Sequence, residues 1–180
     1  PPSFLKDWEA RILPAQAQFG SMPTAQRAEL LLLINDNIVA HQNLIKALYI
    51  KESGLSAARF EAEFKRLTQT ILLFAEHIQK MPWEKQAELP HEAKTLLKKR
   101  LPIGPVLVLG SSNFPLAYST MGGDTVAALA AGCCVVLKAH PMHVGTSTAV
   151  ANCVTRALDT LGLPSAIFSH VIDNTYHWAG

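Results

Sequence analysis

The sequence predicts an α/β fold in which N-terminal helices precede a parallel β-α-β-α-β unit. Before Leu101, apolar residues recur at helical spacing over long stretches. After Leu101, short apolar runs alternate with Ala-rich segments, and the loops between them are short. This alternation favours parallel strands joined by right-handed helical connections. Such sheets usually have more than three strands, so we predict that the unit is incomplete.

The N-terminal part is predicted to consist of helices followed by a polar connection. Residues 25–51 carry an apolar stripe at helical spacing, which predicts one long helix. Ser56 is a plausible N-cap for a second helix over 57–80, whose apolar side chains also recur every three or four residues. A Met-Pro pair ends that helix. Residues 82–100 are predicted to form a connection with one strand near residues 94–100.

The second part is predicted to alternate strands and helices in a regular order. A short β-branched run forms the first strand and suits burial on both faces. Glycines close the two following helices at C-cap positions. The predicted elements, in order, are strand 106–109, helix 118–131, strand 133–137, helix 146–161 and strand 166–172.

Composition narrows the class of protein. With 180 residues, 49% of them hydrophobic and only 17% charged, the chain can form one ordinary core and is expected to bury further surface against a partner or another part of the protein. The net charge of +2 does not indicate binding to nucleic acid or to a membrane, and no apolar run could span a bilayer. The chain begins Pro-Pro-Ser, so we expect its native start to be absent.

The three cysteines predict neither a metal site nor a redox motif. Cys133 and Cys134 are adjacent, a spacing that rarely allows a disulfide, and no CxxC pattern is present. Cys153 lies in a predicted helix. A reducing, cytoplasmic location fits this usage of cysteine best.

Two polar turns follow the first two predicted strands. In open parallel sheets, ligands bind beyond the carboxyl ends of the strands, and neighbouring strands bring such turns together. The first turn, 110–115, has no GxGxxG pattern, but its Asn113 could donate a hydrogen bond to a carbonyl or an oxyanion. The second turn, 138–141, begins with Lys138, which could bind ribose hydroxyls or a phosphate. The alternatives are an ordinary turn asparagine and an ordinary strand-end lysine.

The residues of these turns resemble the aldehyde dehydrogenase family. The stretch 101–117, which contains Ser-Asn-Phe-Pro-Leu, is similar to the family signature at the first strand of the cofactor domain. Together with Gly-Gly-Asp-Thr at 122–125 and Lys-Ala-His-Pro at 138–141, it most resembles one branch. That branch contains the 2-oxoglutarate semialdehyde (2,5-dioxovalerate) dehydrogenases and the NADP-dependent long-chain aldehyde dehydrogenases. Residues 52–54 and 61–66 resemble the family's N-terminal helices.

The resemblance implies a fold and a set of domains. Residues 101–180 would form the first part of a Rossmann-like NAD(P)-binding domain, after an N-terminal helical segment over residues 1–100. A strand near residues 92–100 would belong to a small β oligomerisation domain, and the protein would form a homodimer or homotetramer.

The resemblance also implies roles near the first strand. Asn113 would be the oxyanion-hole amide, and the backbone of Leu109, Gly110 and Ser111 would run beside the nicotinamide ribose. A further set of three side chains would line a tunnel for a small-molecule aldehyde on one face of the following helix. The members of that set, which could instead be core residues, are Phe114, Tyr118 and Met121.

Around the second strand end, the resemblance implies a contact of Lys138 with the adenosine ribose. Pro141 stands where many NAD-preferring members have a glutamate that repels a 2′-phosphate, so we expect NADP to be favoured over NAD. His140 could donate to a phosphate or be structural. The region 174–177 has no arginine to complete a phosphate site.

The resemblance further implies that a nucleophilic cysteine, a glutamate general base and a Gly-rich turn lie downstream, so that the catalytic domain is absent here. The parent enzyme would oxidise a semialdehyde or long-chain aldehyde to an acid through a cysteine thiohemiacetal, and the chain alone would be inactive. The three cysteines of this chain are expected to be inert. The alternatives are an acyl-CoA or acyl-protein reductase of the same fold, a non-catalytic binding or structural protein derived from it, and an unrelated α/β domain.

Overall fold

A computed structural model describes residues 3–80, 84–89 and 94–173. Six α-helices and five strands follow one another in these ranges, with short 3-10 turns at Pro141–His143 and Ser165–Ile167. The elements are α1 (Ser3–Gly20), α2 (Thr24–Ala40), α3 (Gln42–Ser53), α4 (Ala57–Lys80), β1 (Glu84–Leu89), β2 (Lys94–Lys99), β3 (Val106–Leu109), α5 (Gly123–Ala130), β4 (Val135–Lys138), α6 (Val144–Thr160) and β5 (Phe168–Val171).

The N-terminal helices follow the sequence prediction in part. Helix α4 has the predicted bounds, and the Arg59 N–H donates to the Ser56 side chain at 3.2 Å, which confirms the cap. The single helix predicted over 25–51 is wrong, because the backbone leaves helical geometry at His41 (φ −104°, ψ 15°). The His41 ring there lies 2.7 Å from the Asn37 carbonyl oxygen. Helix α3 begins after the break, at Gln42, and packs against α6.

The connection after α4 contains an antiparallel pair of strands rather than one strand. Strand β1 pairs with β2 over their whole length, from Glu84 opposite Lys99 to Leu89 opposite Lys94. The strand predicted near 94–100 is thus confirmed as a strand, whereas its role in oligomerisation stays a prediction. Strand β1 was missed because its sequence, Glu-Lys-Gln-Ala-Glu-Leu, has little of the apolar alternation that predicts a strand.

The parallel β-α-β-α-β unit is confirmed. Its three strands lie in the order β3-β4-β5, with Val106 opposite Val135 and Val135 opposite Phe168. Several boundaries differ from the prediction. Helix α5 begins at Gly123 instead of residue 118, and a 3-10 turn replaces the first residues of the third predicted strand.

Strand β3 is buried on one face only, so the prediction of burial on both faces is wrong for it. Val108 is 4% exposed, whereas Leu107 and Leu109 are each 55% exposed. In the described part of the chain, β3 is an edge strand whose Val108 joins the core below it. Strand β4, in the middle of the sheet, is buried over Val135–Leu137.

One hydrophobic core spans both sides of Leu101. It contains buried residues of α1 to α4, such as Phe60 and Ile34, together with residues of the sheet and of α5 and α6. Helix α4 packs against α2 and α5, which brings its buried face to the segment between β3 and α5. No helix among the described residues is long and apolar enough to cross a membrane.

Candidate functional site

The turns after β3 and β4 lie side by side, as predicted. Leu109 is opposite Lys138 in the parallel register, and the Gly110 N–H donates to the Lys138 carbonyl oxygen at 3.0 Å. A Cβ atom on Gly110 would lie 3.0 Å from Ser119 Oγ and 3.3 Å from the His140 backbone nitrogen. The glycine therefore allows the two turns to pack this closely.

We call residues 111–117 the Asn113 turn. The Ser111 N–H donates to the Tyr118 carbonyl oxygen at 3.0 Å, and the Ser111 hydroxyl donates to the Phe114 carbonyl oxygen at 3.4 Å. Asn113 itself is exposed at the tip. Its side-chain amide has no hydrogen-bond partner among the described residues, so both its donor and its acceptor are available to a ligand.

A buried carboxylate on α4 holds the other end of the Asn113 turn. Glu63, only 3% exposed, accepts hydrogen bonds from the N–H groups of Leu116 and Ala117 at 3.2 and 3.3 Å through one oxygen. Its other oxygen accepts from the Tyr49 hydroxyl at 2.8 Å and from Arg59 Nε at 3.0 Å. Glu63 was not among the site residues predicted from the sequence, although a signal for it was present. Glu63 lies three residues after Phe60 on the apolar stripe of the helix, where a charged residue needs a buried partner.

Phe114 and Tyr118 form an aromatic pair that two arginines cover. Their rings meet edge to face with centroids 5.1 Å apart. The Arg59 guanidinium lies 4.4 Å from the centre of the Phe114 ring, and that of Arg66 lies 4.8 Å from the Tyr118 ring. Arg66 also donates a hydrogen bond to the Tyr118 hydroxyl. Two guanidinium groups therefore line the surface around these rings.

The three predicted tunnel residues do not share a helix face. Phe114 and Tyr118 lie in the turn region before α5, and that part of the prediction is wrong because the helix begins only at Gly123. Tyr118 is 41% exposed and Phe114 is half-buried, so a ligand could reach both. Met121 is fully buried in the core.

The second turn offers donors without a carboxylate. Lys138 and His140 are half-buried, and Pro141 is exposed. Burial lowers the pKa of His140, and His143 and Lys138 lower it further. Because His140 Nδ1 accepts the Met142 N–H at 3.2 Å, the proton of the neutral ring lies on Nε2. One ammonium group and one imidazole N–H are a donor set that fits the ribose and phosphate of a nucleotide.

His143 joins the two turns and was missed by the sequence analysis. Its Nε2 lies 2.8 Å from the Ser111 carbonyl oxygen, and its ring stacks on that of His140 with centroids 5.5 Å apart. The side chain is 1% exposed, and Nδ1 has no hydrogen-bond partner in the part of the chain that the structure describes. A histidine three residues after Lys-Ala-His carries no sequence signal for such a bridge.

Glu52 caps the helix that follows the second turn. Its carboxylate accepts hydrogen bonds from the Gly145 N–H at 2.6 Å, the Thr146 N–H at 2.7 Å and the Thr146 hydroxyl at 2.6 Å. Burial raises the pKa of Glu52, but the hydrogen bonds from Thr146 and Gly145 outweigh burial, so the pKa lies below its usual value. The first turn of α6 is thus occupied by a carboxylate of the chain itself.

A chain of polar groups also runs behind the site. The Thr120 hydroxyl lies 2.7 Å from the Ser147 hydroxyl, which lies 2.8 Å from His170 Nε2. Thr120 and Ser147 are buried, and burial lowers the pKa of His170. These bonds tie the segment before α5 to α6 and β5.

The cysteines have the environment of inert thiols. All three are free and buried. Burial raises the pKa of Cys134 to about 12 and that of Cys153 to about 11, so both are protonated at neutral pH. Among the described residues, no group of three or more His, Cys, Asp or Glu side chains could hold a metal ion.

The sequence of the chain is similar to those of known proteins. A sequence profile described as the aldehyde dehydrogenase family matches residues 9–177. The α-ketoglutaric semialdehyde dehydrogenase 2 of Azospirillum brasilense is 37% identical over 161 residues, which cover 86% of this chain and 31% of that protein. The α-ketoglutaric semialdehyde dehydrogenase of Acinetobacter baylyi is 38% identical over 157 residues, covering 81% of this chain and 29% of that protein.

Solved structures show the same fold. The crystal structure of an NADP-dependent enzyme of Escherichia coli superposes with a TM-score of 0.82 at 24% identity, covering 94% of this chain and 34% of that one. The chain therefore spans about a third of the length of the proteins it resembles. Because the family profile matches nearly all of it, the chain belongs to the aldehyde dehydrogenase family.

Proposed function

We propose that the protein containing this chain oxidises an aldehyde to a carboxylic acid with NADP. One observation carries the proposal: the free amide of Asn113 and the donors Lys138 and His140 lie at neighbouring strand ends, which Gly110 holds together. Members of the family act on aldehydes and use NAD or NADP. An oxyanion donor beside a nucleotide site would supply two of the parts that this reaction needs.

In this proposal the chain positions and polarises its substrate. The Asn113 amide would donate to the aldehyde oxygen, where negative charge develops as a nucleophile adds to the carbonyl carbon. The nucleophile and the general base would come from parts of the protein outside this chain, so that the chain alone would be inactive. The cofactor, when bound, accepts a hydride from the substrate carbon.

The proposed preference for NADP depends on the second turn. Pro141 leaves this strand end without a carboxylate, whereas the Lys138 ammonium and the His140 N–H can both donate to a phosphate. The E. coli enzyme with the same fold is described as NADP-dependent. The backbone of Leu109, Gly110 and Ser111 would then lie beside the nicotinamide ribose, as the resemblance implies.

We further propose that the aldehyde carries a carboxylate, rather than a long alkyl chain. Arg66 supports this choice, because its guanidinium covers Tyr118, which neighbours Phe114, and makes no ion pair within the described residues. A guanidinium beside a tyrosine hydroxyl is suited to bind a carboxylate through two hydrogen bonds. The two curated relatives are named for a semialdehyde that bears a carboxylate.

The test compares two four-carbon aldehydes as substrates of the full-length protein. We expect succinate semialdehyde to be oxidised with a kcat/KM at least about tenfold above that of butanal, since a charge-assisted hydrogen bond contributes roughly 1.5–3 kcal/mol. Arg66→Gln should remove most of this preference, whereas Lys65→Gln, one residue away on the exposed face of α4, should keep it. Absence of NADP reduction with every aldehyde would refute the proposed function. Equal rates with both aldehydes would refute the acidic substrate alone.

The remaining features of the proposal concern the whole protein. We propose a cytoplasmic homodimer or homotetramer in which the β1–β2 hairpin takes part in assembly. The alternative of an acyl-CoA or acyl-protein reductase predicts that the protein consumes an acyl thioester with reduced cofactor. The alternative of a non-catalytic protein predicts cofactor binding without turnover.

A further inference from the structure

Glu63 is a buried carboxylate that the reaction does not explain. A carboxylate that is 3% exposed loses most of its hydration, and this loss must be offset by hydrogen bonds. Four donors supply them: the Tyr49 hydroxyl and Arg59 Nε at one oxygen, and the N–H groups of Leu116 and Ala117 at the other. Both oxygens are therefore fully used within the fold, so Glu63 is not free to act on a substrate directly.

The two backbone donors fix one end of the Asn113 turn to helix α4. Leu116 and Ala117 are themselves buried, and they follow Asn113 by three and four residues. Between them and Asn113 lies Pro115, whose ring restricts the backbone further. Since the Asn113 side chain has no partner of its own among the described residues, its direction depends on the backbone that Glu63 holds.

Glu63 also controls the side chain next to Asn113. Its bond to Arg59 Nε holds the Arg59 guanidinium, which lies 4.4 Å from the centre of the Phe114 ring. One carboxylate thus restrains the turn through the backbone of Leu116 and Ala117 and through the ring of Phe114. The two restraints act on either side of Pro115 and close to the amide that would meet the oxyanion.

We propose that Glu63 is a positioning residue for catalysis, which aims the Asn113 amide at the developing oxyanion. The inference rests on the proposed function. A misplacement of about 1 Å in a donor of this kind can lower a rate about a hundredfold. Loss of the Glu63 carboxylate should therefore lower kcat about 10- to 100-fold in the full-length protein, with little change in the Kd of NADP, which binds at the neighbouring turn.

The experiment is a double-mutant cycle between Glu63→Gln and Asn113→Ala, in which kcat is measured for the wild type, the two single variants and the double variant. Glutamine keeps the shape of the side chain, but it offers one acceptor oxygen where the site supplies donors to two. If Glu63 acts through Asn113, Glu63→Gln should lower kcat in the wild-type background and have less than a twofold effect when Asn113 is already alanine. Glu61→Gln is the matched control, since Glu61 lies on the exposed side of the same helix and pairs with Lys46. This control should retain wild-type kcat.

The outcomes separate this inference from the proposed function. An equal loss in both backgrounds, or no loss of kcat in Glu63→Gln, would overturn the positioning role while leaving aldehyde oxidation intact. Absence of turnover in the wild-type protein and in Glu61→Gln would instead refute the proposed function. If Glu63→Gln does not fold, Glu63→Asp, which keeps the charge, takes its place in the cycle. Failure of both variants to fold would overturn the inference, because Glu63 would then be a requirement of the fold.

Discussion

The Glu52 carboxylate caps α6, and the hydrogen bonds that it accepts set how much its loss should lower the free energy of unfolding. Replacement by glutamine keeps the shape but leaves one amide oxygen where two carboxylate oxygens accept three hydrogen bonds. The NH2 group of the glutamine must then face either the Gly145 N–H or the two Thr146 donors, and it cannot accept a hydrogen bond from them. Hydrogen bonds to a charged group contribute roughly 1.5–3 kcal/mol each, and a carboxylate at a helix N-terminus adds about 0.3–1 kcal/mol. Because Glu52 is only partly buried, we expect Glu52→Gln to lower the free energy of unfolding by about 2 kcal/mol.

Urea denaturation and its pH dependence measure this effect. A loss of this size corresponds to a fall in Tm of about 4–8 °C for a chain of this length. Since the pKa of Glu52 is lowered from 4.5 on folding, its contribution is complete above about pH 4.5 and is lost as the pH falls through the lowered value. The difference between wild type and Glu52→Gln should therefore shrink as the pH falls below 4.5. A difference that is absent at pH 7, or that stays constant down to pH 3, would refute the reasoning.

Three further predictions concern the surroundings of the site. Burial lowers the pKa of His170, so the folded state binds fewer protons than the unfolded state, and stability should fall as the pH drops below 6.5. His170→Gln, which can still bond to Ser147, should reduce that loss in urea titrations at pH 7.5 and 5.5, and an unchanged loss would contradict the assignment. Gly122→Ala should lower the free energy of unfolding by about 1–3 kcal/mol, because the added Cβ would lie 2.7 Å from the Ala117 carbonyl oxygen, and a stability equal to wild type in urea would contradict this. Lys138→Met should raise the Kd of NADP at least about tenfold in a fluorescence titration, and an unchanged Kd would exclude Lys138 from the cofactor site.

The fold could be predicted from the sequence where local signals and packing agree. Helix α4 has an apolar stripe and a serine cap, and its bounds agree with the prediction. The three parallel strands also follow from β-branched runs between Ala-rich segments. Strand β1 could not be predicted, because a polar strand without alternation resembles a loop.

The start of α5 was placed too early for a different reason. Of residues 118–122 only Met121 is a strong helix former, and the hydrogen bonds of Ser111 to Tyr118 and of Ala117 to Glu63 hold this backbone in turns. Glu63 lies 54 residues from Ala117 in the sequence. The prediction extended the helix from the Ala-rich run after Gly123 over residues that both their own propensity and these contacts keep in turns.

The sequence predicts where the candidate site lies, but it does not predict the hydrogen bonds that support the site. The strand-end rule places Asn113 and Lys138 in neighbouring turns, and the structure has them there. The groups that support them, Glu63 and His143, come from other parts of the chain and carry weak local signals. A charged residue on an apolar helix stripe, as at Glu63, is the one signal in the sequence that points to this network.

The kcat of Asn113→Ala in the full-length protein, with succinate semialdehyde and NADP, tests the role of this strand end most directly. Asn113 is exposed at the tip of its turn and makes no hydrogen bond through its side chain in the described part of the chain, so its removal should not disturb the fold. We expect kcat to fall about 100- to 1000-fold, as for loss of an oxyanion donor, while the Kd of NADP and the Tm stay at wild-type values. A variant that retains wild-type kcat would contradict the central claim that this strand end stabilises the oxyanion.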